Sequence, residues 1–319
     1  MTSTDRLQIG FQVWAQNVRW DDLTAAAVAV EEQGFDTLFS NDHLYPLVSM
    51  DDEINRQLAV PIFEGWMVLA GFAAATDRVR IGCMVSGSGY RNVGLLGKMA
   101  VTLDHASHGR AVLGIGAGWF GREHTSFGFA FPDAKGRLDR LAETADALHR
   151  LLAGETVTTR GEWVHLDHAR LDPAVQHPLP LLIGGSGPKR TLPLVARYAR
   201  IWNGEGTPDE VAAKNRLLDD QCRYLGREPS SVERTIGLPP PMIRATRAEA
   251  EAATIAVLTH HGMPPAVATD YAATSPSVGT ADAVADTLVA YRAAGADGVV
   301  FDWPAPFDPE TLAALSAMR

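Results

Sequence analysis

Cysteine, basic runs and long apolar stretches are all scarce in this sequence, and each scarcity argues against a class of protein. The two cysteines, Cys83 and Cys222, lie far apart and have no CxxC spacing. A disulfide framework or a structural zinc site is therefore not expected, and a reducing compartment is the default. The formal net charge is −10 and no basic run occurs. Phosphate backbones require a concentrated basic face, so we expect no nucleic-acid partner.

Membrane and export signals are also missing. The longest markedly apolar helical stretch, Gly65–Thr76, has 12 residues, which is too short to cross a bilayer. The segment Met1–Trp14 has no basic region followed by an apolar stretch, so it does not resemble a signal peptide. We expect a cytoplasmic protein with no membrane partner.

Metal and nucleophile motifs are absent as well. A metal-dependent hydrolase barrel needs ligand pairs at strand ends, but the first candidate strand ends in Gln12-Val13-Trp14. The histidine pairs His105/His108 and His165/His168 fall at a helix end and in an insertion, so we expect no metal site. No Gly-x-Ser-x-Gly elbow occurs, which leaves nucleophilic hydrolysis without a starting point.

The sequence does contain eight alternations of a short β-rich run with a longer segment of helical period. Alternation of this kind indicates parallel strands joined by crossover helices. Eight units within about 300 residues favour a closed (β/α)8 TIM barrel, of class α/β, over an open sheet. The predicted strands are Leu7–Val13, Asp36–Ser40, Val79–Ser86, Ala111–Ile115, Pro180–Gly184, Arg200–Asn203, Arg234–Arg244 and Gly298–Trp303.

A dinucleotide-binding sheet is excluded because no GxGxxG follows the first strand. We predict a single domain over residues 1–319 with one insertion, residues 154–179, before the fifth strand. Two short β-like pieces in it, Thr156–Thr159 and Trp163–Leu166, predict a hairpin or lid near the site, because long inserts in barrels are usually functional.

Function in a barrel lies where strands end, and the second predicted strand is followed by Asn41-Asp42-His43. An imidazole at this point can protonate or hydrogen-bond a redox ring at working pH. The alternative is that Asp42 only caps the next turn and His43 is a solvated loop residue.

Glycine-rich turns follow the third, fourth and fifth strands. Residues 86–92 include two glycines and two serines, and Gly114, Gly116 and Gly118 alternate after the fourth strand. Glycines here leave room for a planar ligand, although an ordinary loop or tight packing also explains them. Residues 184–191 run into a predicted helix, Pro188–Ala199, whose free N–H groups and neighbouring basic residues predict an anion site. A well-capped helix is the alternative.

Taken together, these segments resemble the luciferase-like flavin and deazaflavin oxidoreductases. The likeness covers nearly the whole chain in order, and its most recognisable stretches are residues 34–43, 108–119, 183–187 and 295–302. The Asn41-Asp42-His43 cluster and the lack of a long luciferase-type insert resemble the members that use coenzyme F420, a 5-deazaflavin.

The resemblance implies a two-electron hydride-transfer enzyme with His43 as proton donor or stabiliser beside the ring, assisted by Asp42. It also implies a non-proline cis peptide at Met84–Val85, a small-molecule substrate and a homodimer. The implied cofactor-binding residues are Asn41, Met84, Val85, Ser86, Asn92, Gly116, Ala117, Gly118, Ser186, Gly187 and Pro188.

One departure from the resemblance concerns the substrate. The sugar-phosphate dehydrogenases of the family have an acidic residue just after the strand-four glycines, where this chain has Trp119. With Phe11 and Trp14, Trp119 suggests an apolar substrate pocket. Two alternatives stay open: an FMN-dependent monooxygenase that uses reduced flavin and O2, and a non-catalytic flavin-binding barrel.

Overall fold

The computed structural model describes residues 6–319; residues 1–5, the start of the predicted domain and of the Met1–Trp14 segment, lie outside the described residues. The strands are β1 (Gln8–Val13), β2 (Thr37–Ser40), β3 (Arg80–Gly87), β4 (Ala111–Gly116), β5 (Val157–Arg160), β6 (His165–Ala169), β7 (Leu181–Gly184), β8 (Ile201–Gly204), β9 (Glu233–Leu238), β10 (Met242–Ile243), β11 (Val278–Gly279) and β12 (Gly298–Trp303). The α-helices are α1 (Trp20–Glu32), α2 (Asp52–Arg56), α3 (Gly65–Ala75), α4 (Val93–Ala106), α5 (Gly121–Phe127), α6 (Ala134–Leu152), α7 (Thr191–Tyr198), α8 (Pro208–Tyr224), α9 (Arg247–His260), α10 (Pro265–Thr274), α11 (Ala281–Ala293) and α12 (Pro309–Ala317).

Eight parallel strands close into one barrel in the order β1, β12, β9, β8, β7, β4, β3, β2. Closure comes from β1, which pairs with both β2 and β12. The predicted (β/α)8 TIM barrel is confirmed. In such a barrel the carboxyl ends of the strands share one face, called the mouth below.

Helix boundaries follow the local chemistry of the sequence. Thr207 and Glu210 form a reciprocal capping box at the start of α8, and Thr280 caps α11. Gly34, with φ of 82°, takes the left-handed conformation that ends a helix at low steric cost.

Strand residues alternate between two apolar layers. Ile9, Phe11 and Val13 pack in the outer layer, between the strands and the helices. The barrel interior is filled by a smaller cluster: Phe39, Met84, Val112, Leu182, Ile201 and Val300. Residues that alternate with the outer layer on each strand therefore face the barrel interior.

The end of the barrel opposite the mouth holds a charged contact. Arg80 Nη2 on β3 pairs with Glu233 Oε1 on β9 at 2.6 Å, and the same nitrogen also donates to Gln8 Oε1 at 2.6 Å. Both charged residues lie at the amino ends of their strands, so the contact reaches across the interior at this end.

The insertion contains the predicted hairpin, because β5 and β6 pair antiparallel. Glu143 on α6 accepts hydrogen bonds from the backbone N–H groups of Glu162, Trp163 and Val164, at 3.0, 2.9 and 2.8 Å. These bonds hold the hairpin tip against α6.

Two predicted boundaries are wrong. The strand predicted over Arg234–Arg244 ends at Leu238, and the proline run 239–241, which lacks backbone N–H donors, separates it from β10 outside the barrel. The helix predicted from Pro188 begins at Thr191, because residues 188–190 form a turn.

Candidate active site

His43 lies at the mouth, three residues beyond the end of β2, and its partner is a carboxylate from another loop. Its Nδ1 atom lies 3.2 Å from Oε1 and 3.1 Å from Oε2 of Glu123, which is on α5. The Glu123 side chain is fully buried, whereas His43 keeps 19% of its side chain exposed. The buried carboxylate of Glu123 therefore holds the His43 imidazole, which stays partly exposed at the mouth.

Glu123 is surrounded by donors. It accepts from the backbone N–H groups of Leu44 and Tyr45, at 2.6 and 3.0 Å, and from the Tyr90 hydroxyl. Burial acts to raise the pKa of Glu123, but the hydrogen bonds and charge of His43, together with Tyr90 and Tyr45, outweigh it and lower the pKa. Burial and then the Glu123 charge raise the pKa of Tyr90. Glu123 is thus an anion and Tyr90 a neutral donor near neutral pH.

Sequence reasoning missed Glu123. Trp119 occupies the position after the strand-four glycines where the resemblance expects an acidic residue. The carboxylate of Glu123 lies four residues later, in the first turn of α5. The signal available was a short polar segment directly after a glycine-rich turn, which gives no helical period to read.

The Asp42 carboxylate has an arginine partner. Its carboxylate pairs with Arg91, at 2.9 Å from Nη2, and the Asp42 side chain is fully buried. Arg91 also pairs with Glu64, which caps α3. The assisting role predicted for Asp42 stays a prediction, and in this structure its carboxylate is held by Arg91.

Two predicted cofactor residues have structural partners. Ser86 is buried and its Oγ accepts from Trp66 Nε1 at 2.9 Å. Asn92 caps α4 by accepting from the backbone N–H of Gly94 at 2.8 Å. Both oxygens therefore have a partner within the chain, and the predicted contact of these residues with a cofactor stays a prediction.

The floor of the mouth is formed by Val85 and the glycines around it. The Met84–Val85 peptide bond is cis, as the resemblance implied. A Cβ atom on Gly116 would lie 2.7 Å from Val85 Cγ2, and one on Gly184 would lie 2.9 Å from Val85 Cγ1. A Cβ on Gly114 would lie 2.0 Å from the Cys83 carbonyl oxygen. Val85 thus fills the space beside Gly116 and Gly184, as the tight-packing alternative expects, and the predicted contact of Gly116 with a ligand stays a prediction.

The other glycine turns border this floor. Ala117 and Gly118 are partly exposed, and Gly118 has φ of 78°. Beyond β7, Gly187 and Pro188 are exposed, and Ser186 Oγ accepts from the Glu205 N–H at 3.2 Å. Arg190 pairs with Asp139, while Lys189 is exposed. The loop presents backbone to solvent, as an anion site would require.

The three aromatic residues predicted to line a pocket lie in different places. Phe11 is fully buried in the outer layer, with its ring 4.9 Å from that of Phe35, so it does not line the mouth and that prediction is wrong. Trp119 lies 5.8 Å from the His43 ring, between centroids. Trp14 follows β1, and its ring centroid lies 5.5 Å from that of His261.

A second carboxyl group at the mouth is that of Asp302, which sequence reasoning did not single out. Val299, Phe301 and Trp303 belong to the outer layer and Val300 to the interior, so Asp302 faces inward at the carboxyl end of β12. Burial raises its pKa to about 6, although Trp14 and the charge of His43 oppose the shift. Alternation along β12 was the signal that could have found it.

Two buried polar atoms near the floor have no hydrogen-bond partner among the described residues. They are Asn41 Oδ1, at the end of β2, and Ser88 Oγ, directly after β3. Buried polar atoms are almost always paired in proteins, so an unpaired acceptor and hydroxyl at one mouth are a feature that a polar ligand could satisfy.

Other candidate sites hold less chemistry. A groove of about 1010 Å³ lies outside the barrel between α1, α9 and the segment after β12, and it contains none of the predicted site residues. Within residues 6–319, no group of three or more His, Cys, Asp or Glu side chains could hold a metal ion. No helix in the same range is long and apolar enough to span a bilayer.

A parallel eight-stranded barrel with a histidine–carboxylate pair at its mouth defines a TIM-barrel enzyme scaffold. The family model of the luciferase-like monooxygenases matches residues 7–298, so the chain belongs to this family. A protein from Nakamurella multipartita named F420-dependent glucose-6-phosphate dehydrogenase is 34% identical over 58% of this chain and 52% of its own.

The chain spans between about half and two thirds of the length of the curated relatives that it matches. Among solved structures, an F420-dependent secondary alcohol dehydrogenase in complex with an F420-acetone adduct superposes with a TM-score of 0.79 at 18% identity, covering 98% of both chains. The monooxygenase RslO1 from Streptomyces bottropensis superposes with a TM-score of 0.78 at 19% identity, again over 98% of both chains. These similarities show the fold.

Proposed function

We propose that the protein is an F420-dependent oxidoreductase that transfers a hydride between the deazaflavin and a small, mainly apolar substrate. The observation that carries the proposal is the His43–Glu123 pair beside the glycine-lined floor of Val85. Curated relatives named for F420 dependence support the choice of cofactor. Asn41 Oδ1 and Ser88 Oγ, both buried and unpaired in the described part of the chain, fit a polar-edged ring at this floor.

The residues around the floor divide the tasks of holding such a cofactor. Met84, Val85, Gly116, Ala117 and Gly118 would border the planar ring, and the exposed turn Ser186-Gly187-Pro188 would receive its phosphate. Asn41 would supply an acceptor to the polar edge of the ring. When bound, coenzyme F420 supplies the carbon that gives or takes the hydride, and the protein supplies orientation and electrostatics.

His43 handles the proton that accompanies hydride transfer. Because Glu123 engages Nδ1, Nε2 is the ring nitrogen left to hold or accept a proton, and no hydrogen bond from the described residues reaches it. The buried carboxylate holds the ring at Nδ1 and so fixes the orientation in which Nε2 passes its proton. Trp119, in edge contact with His43, makes the adjoining wall apolar.

The first test is titration of the purified protein with F420 and, separately, with FMN, followed by ligand fluorescence. We expect micromolar or tighter binding of F420 and weaker binding of FMN. The opposite preference, accompanied by oxygen consumption with reduced FMN, would replace the proposal with the flavin monooxygenase activity of the same family. Binding of neither would contradict the assignment of the floor and of Ser186-Gly187-Pro188.

The second test separates a catalyst from a non-catalytic flavin-binding barrel. His43→Ala should bind F420 with wild-type affinity and lose turnover by about 10²–10⁴-fold, the range of a general acid or base. His165→Ala, an exposed histidine in β6, is the matched control and should keep full activity. Unchanged turnover in His43→Ala would remove His43 from the mechanism.

We also propose that the protein is a cytoplasmic homodimer. Helix α3 is apolar on all sides, and its residues Met67, Ala70 and Ala74 are exposed. An all-apolar helix is normally covered, and a second copy of the chain would cover this face. The exposed aromatic rings of Trp20 and Phe63 extend the same surface.

Segment 154–179 is proposed as a fixed wall of a single domain spanning residues 1–319. Trp163, at the hairpin tip, lies with its ring centre 6.0 Å from the guanidinium carbon of Arg140. Arg140 in turn adjoins Gly89 in the loop after β3. The Glu143 hydrogen bonds support a docked hairpin that borders the mouth in place of a hinged lid.

A further inference from the structure

We infer that Asp302 sets the charge selectivity of the substrate site, so that the wall formed by Asp302, Trp14 and Tyr271 accepts a hydroxyl or ammonium group of the substrate and rejects a carboxylate or phosphate. The inference rests on the proposed function, because it concerns the substrate that would meet His43. It makes this wall unsuited to the phosphate of a sugar phosphate.

The position of Asp302 places its carboxyl group in the mouth. Asp302 stands beside Gln12 in the β1–β12 register, and both side chains face inward. Asp302 is partly exposed, whereas its strand neighbours Phe301 and Trp303 are buried. An inward side chain at the carboxyl end of a barrel strand is where barrel enzymes contact their substrates.

The surroundings of Asp302 hold few groups that could satisfy a carboxylate. Within residues 6–319, no Lys or Arg forms an ion pair with it, and the groups acting on its protonation are Trp14 and His43. This contrasts with Asp42, Asp36 and Asp308, each of which is paired with an arginine. A carboxylate without a cation keeps acceptor capacity for a ligand.

Side chains from three neighbouring elements face Asp302. Trp14 follows β1, His43 follows β2 and Tyr271 lies on α10. Burial and the charge of Asp302 raise the pKa of Tyr271. His261, at the end of α9, supports the Trp14 ring and has its pKa lowered by burial, so it is neutral. The wall thus combines aromatic surface with one acidic group.

The chemistry follows from the protonation state. With a pKa of about 6, Asp302 is ionised at pH 8 and accepts hydrogen bonds. A hydroxyl or ammonium group gains a charge-assisted hydrogen bond there, while an anion meets like charge in a partly desolvated site. At pH 5 the carboxyl is mainly neutral, and the discrimination should weaken.

The test uses three probes that share one ring: cyclohexanol, cyclohexylamine and cyclohexanecarboxylate. Their binding to the F420-loaded protein is measured by calorimetry at pH 8. In the wild-type protein we expect the carboxylate to bind at least tenfold more weakly than the alcohol and the ammonium. Asp302→Asn should improve carboxylate binding and weaken ammonium binding, each by about tenfold.

Controls separate Asp302 from its surroundings. Asp270→Asn changes an exposed aspartate on α10 beside Tyr271 and should leave all three affinities unchanged. Trp14→Phe removes the indole group that lowers the Asp302 pKa, so the pH at which discrimination appears should move upward. F420 affinity is measured first in each variant, which separates loss of the cofactor assignment from loss of this inference.

Equal binding of the three probes at pH 8, or an unchanged order of affinities in Asp302→Asn, would overturn the inference. If F420 does not bind, the same measurements on the cofactor-free protein still report on Asp302, because the aspartate and Trp14 belong to the chain. Discrimination that vanishes only in Asp302→Asn and at low pH would support it.

Discussion

Replacement of Glu123 by glutamine is the sharpest perturbation of the site, because it removes one buried charge and preserves shape. In the wild-type protein four donors reach this carboxylate: His43 Nδ1, the Leu44 and Tyr45 N–H groups, and the Tyr90 hydroxyl. A glutamine offers one acceptor oxygen and places an N–H₂ group where the second oxygen was. If that N–H₂ group replaces Oε2, the two donors at this oxygen, His43 Nδ1 and the Tyr90 hydroxyl, face another donor.

The magnitude follows from those four bonds. A hydrogen bond to a charged acceptor contributes about 1 kcal/mol more than a neutral one, and ionised Glu123 also carries a desolvation cost that glutamine avoids. We expect the free energy of unfolding to fall by about 2–4 kcal/mol. Glutamine also removes the negative charge beside the His43 ring and places a donor near its Nδ1 atom, so turnover that needs His43 to move a proton should fall by about 10²-fold or more.

The pH dependence of the free energy of unfolding distinguishes the loss of this charge from a general packing defect. The pKa of Glu123 is lowered in the folded protein, so its stabilising contribution is complete above the unfolded value of about 4.3 and is lost as the pH falls through the folded pKa. Glutamine has no such contribution at any pH. The stability gap between wild type and Glu123→Gln should therefore be full at pH 7 and close at acid pH.

Urea denaturation at pH 7, 5 and 4, with F420-coupled turnover at pH 7, measures both effects. Glu143→Gln is the matched control, since Glu143 also accepts three backbone N–H groups but lies at the hairpin. It should lose stability and keep His43-dependent turnover. A Glu123→Gln gap below about 1 kcal/mol at pH 7, or wild-type turnover in that variant, would refute the reasoning.

Three further predictions follow. Gly116→Ala should weaken F420 binding at least tenfold in a fluorescence titration, because its Cβ would lie 2.7 Å from Val85 Cγ2 and displace the floor. Arg110→Met should lower the free energy of unfolding by about 3 kcal/mol in urea, since its guanidinium group binds carbonyls of Thr76 and Val79 at 2.6 and 2.8 Å that would lose their donor. Met67→Lys should convert a dimer to monomer in light scattering, whereas Val289→Lys, 67% exposed on α11, should not.

The barrel could be predicted because each unit has its own local signals. Strand–helix alternation and terminal glycines such as Gly34 do not depend on distant contacts. The wrong boundaries occur where the chain departs from strand–helix alternation. The proline run 239–241 ends β9 early, and the segment between β9 and β12 adds α9 and α10 with a small apolar cluster of its own around Leu258 and Trp14.

The site was only partly predictable for a different reason. His43 stands at a strand end and could be found, but its partner depends on how α5 folds back over the loop after β2. The resemblance implied that Asp42 assists His43, whereas in space the Asp42 carboxylate pairs with Arg91. Phe11 could have been excluded, since Ile9, Phe11 and Val13 share one side of β1 with the helices.

The filled interior of the barrel has a kinetic consequence. The apolar cluster of Phe39, Met84, Val112, Leu182, Ile201 and Val300 fills the interior, so a ligand in the proposed site would enter and leave through the mouth. A cofactor lying on the Val85 floor would be the deeper of two ligands. We therefore expect sequential binding, in which the deeper ligand binds first and leaves last. A steady-state kinetic analysis should show a compulsory order in which the cofactor binds before the substrate. A substrate analogue should slow release of the cofactor, and the cofactor should leave freely when the substrate site is empty.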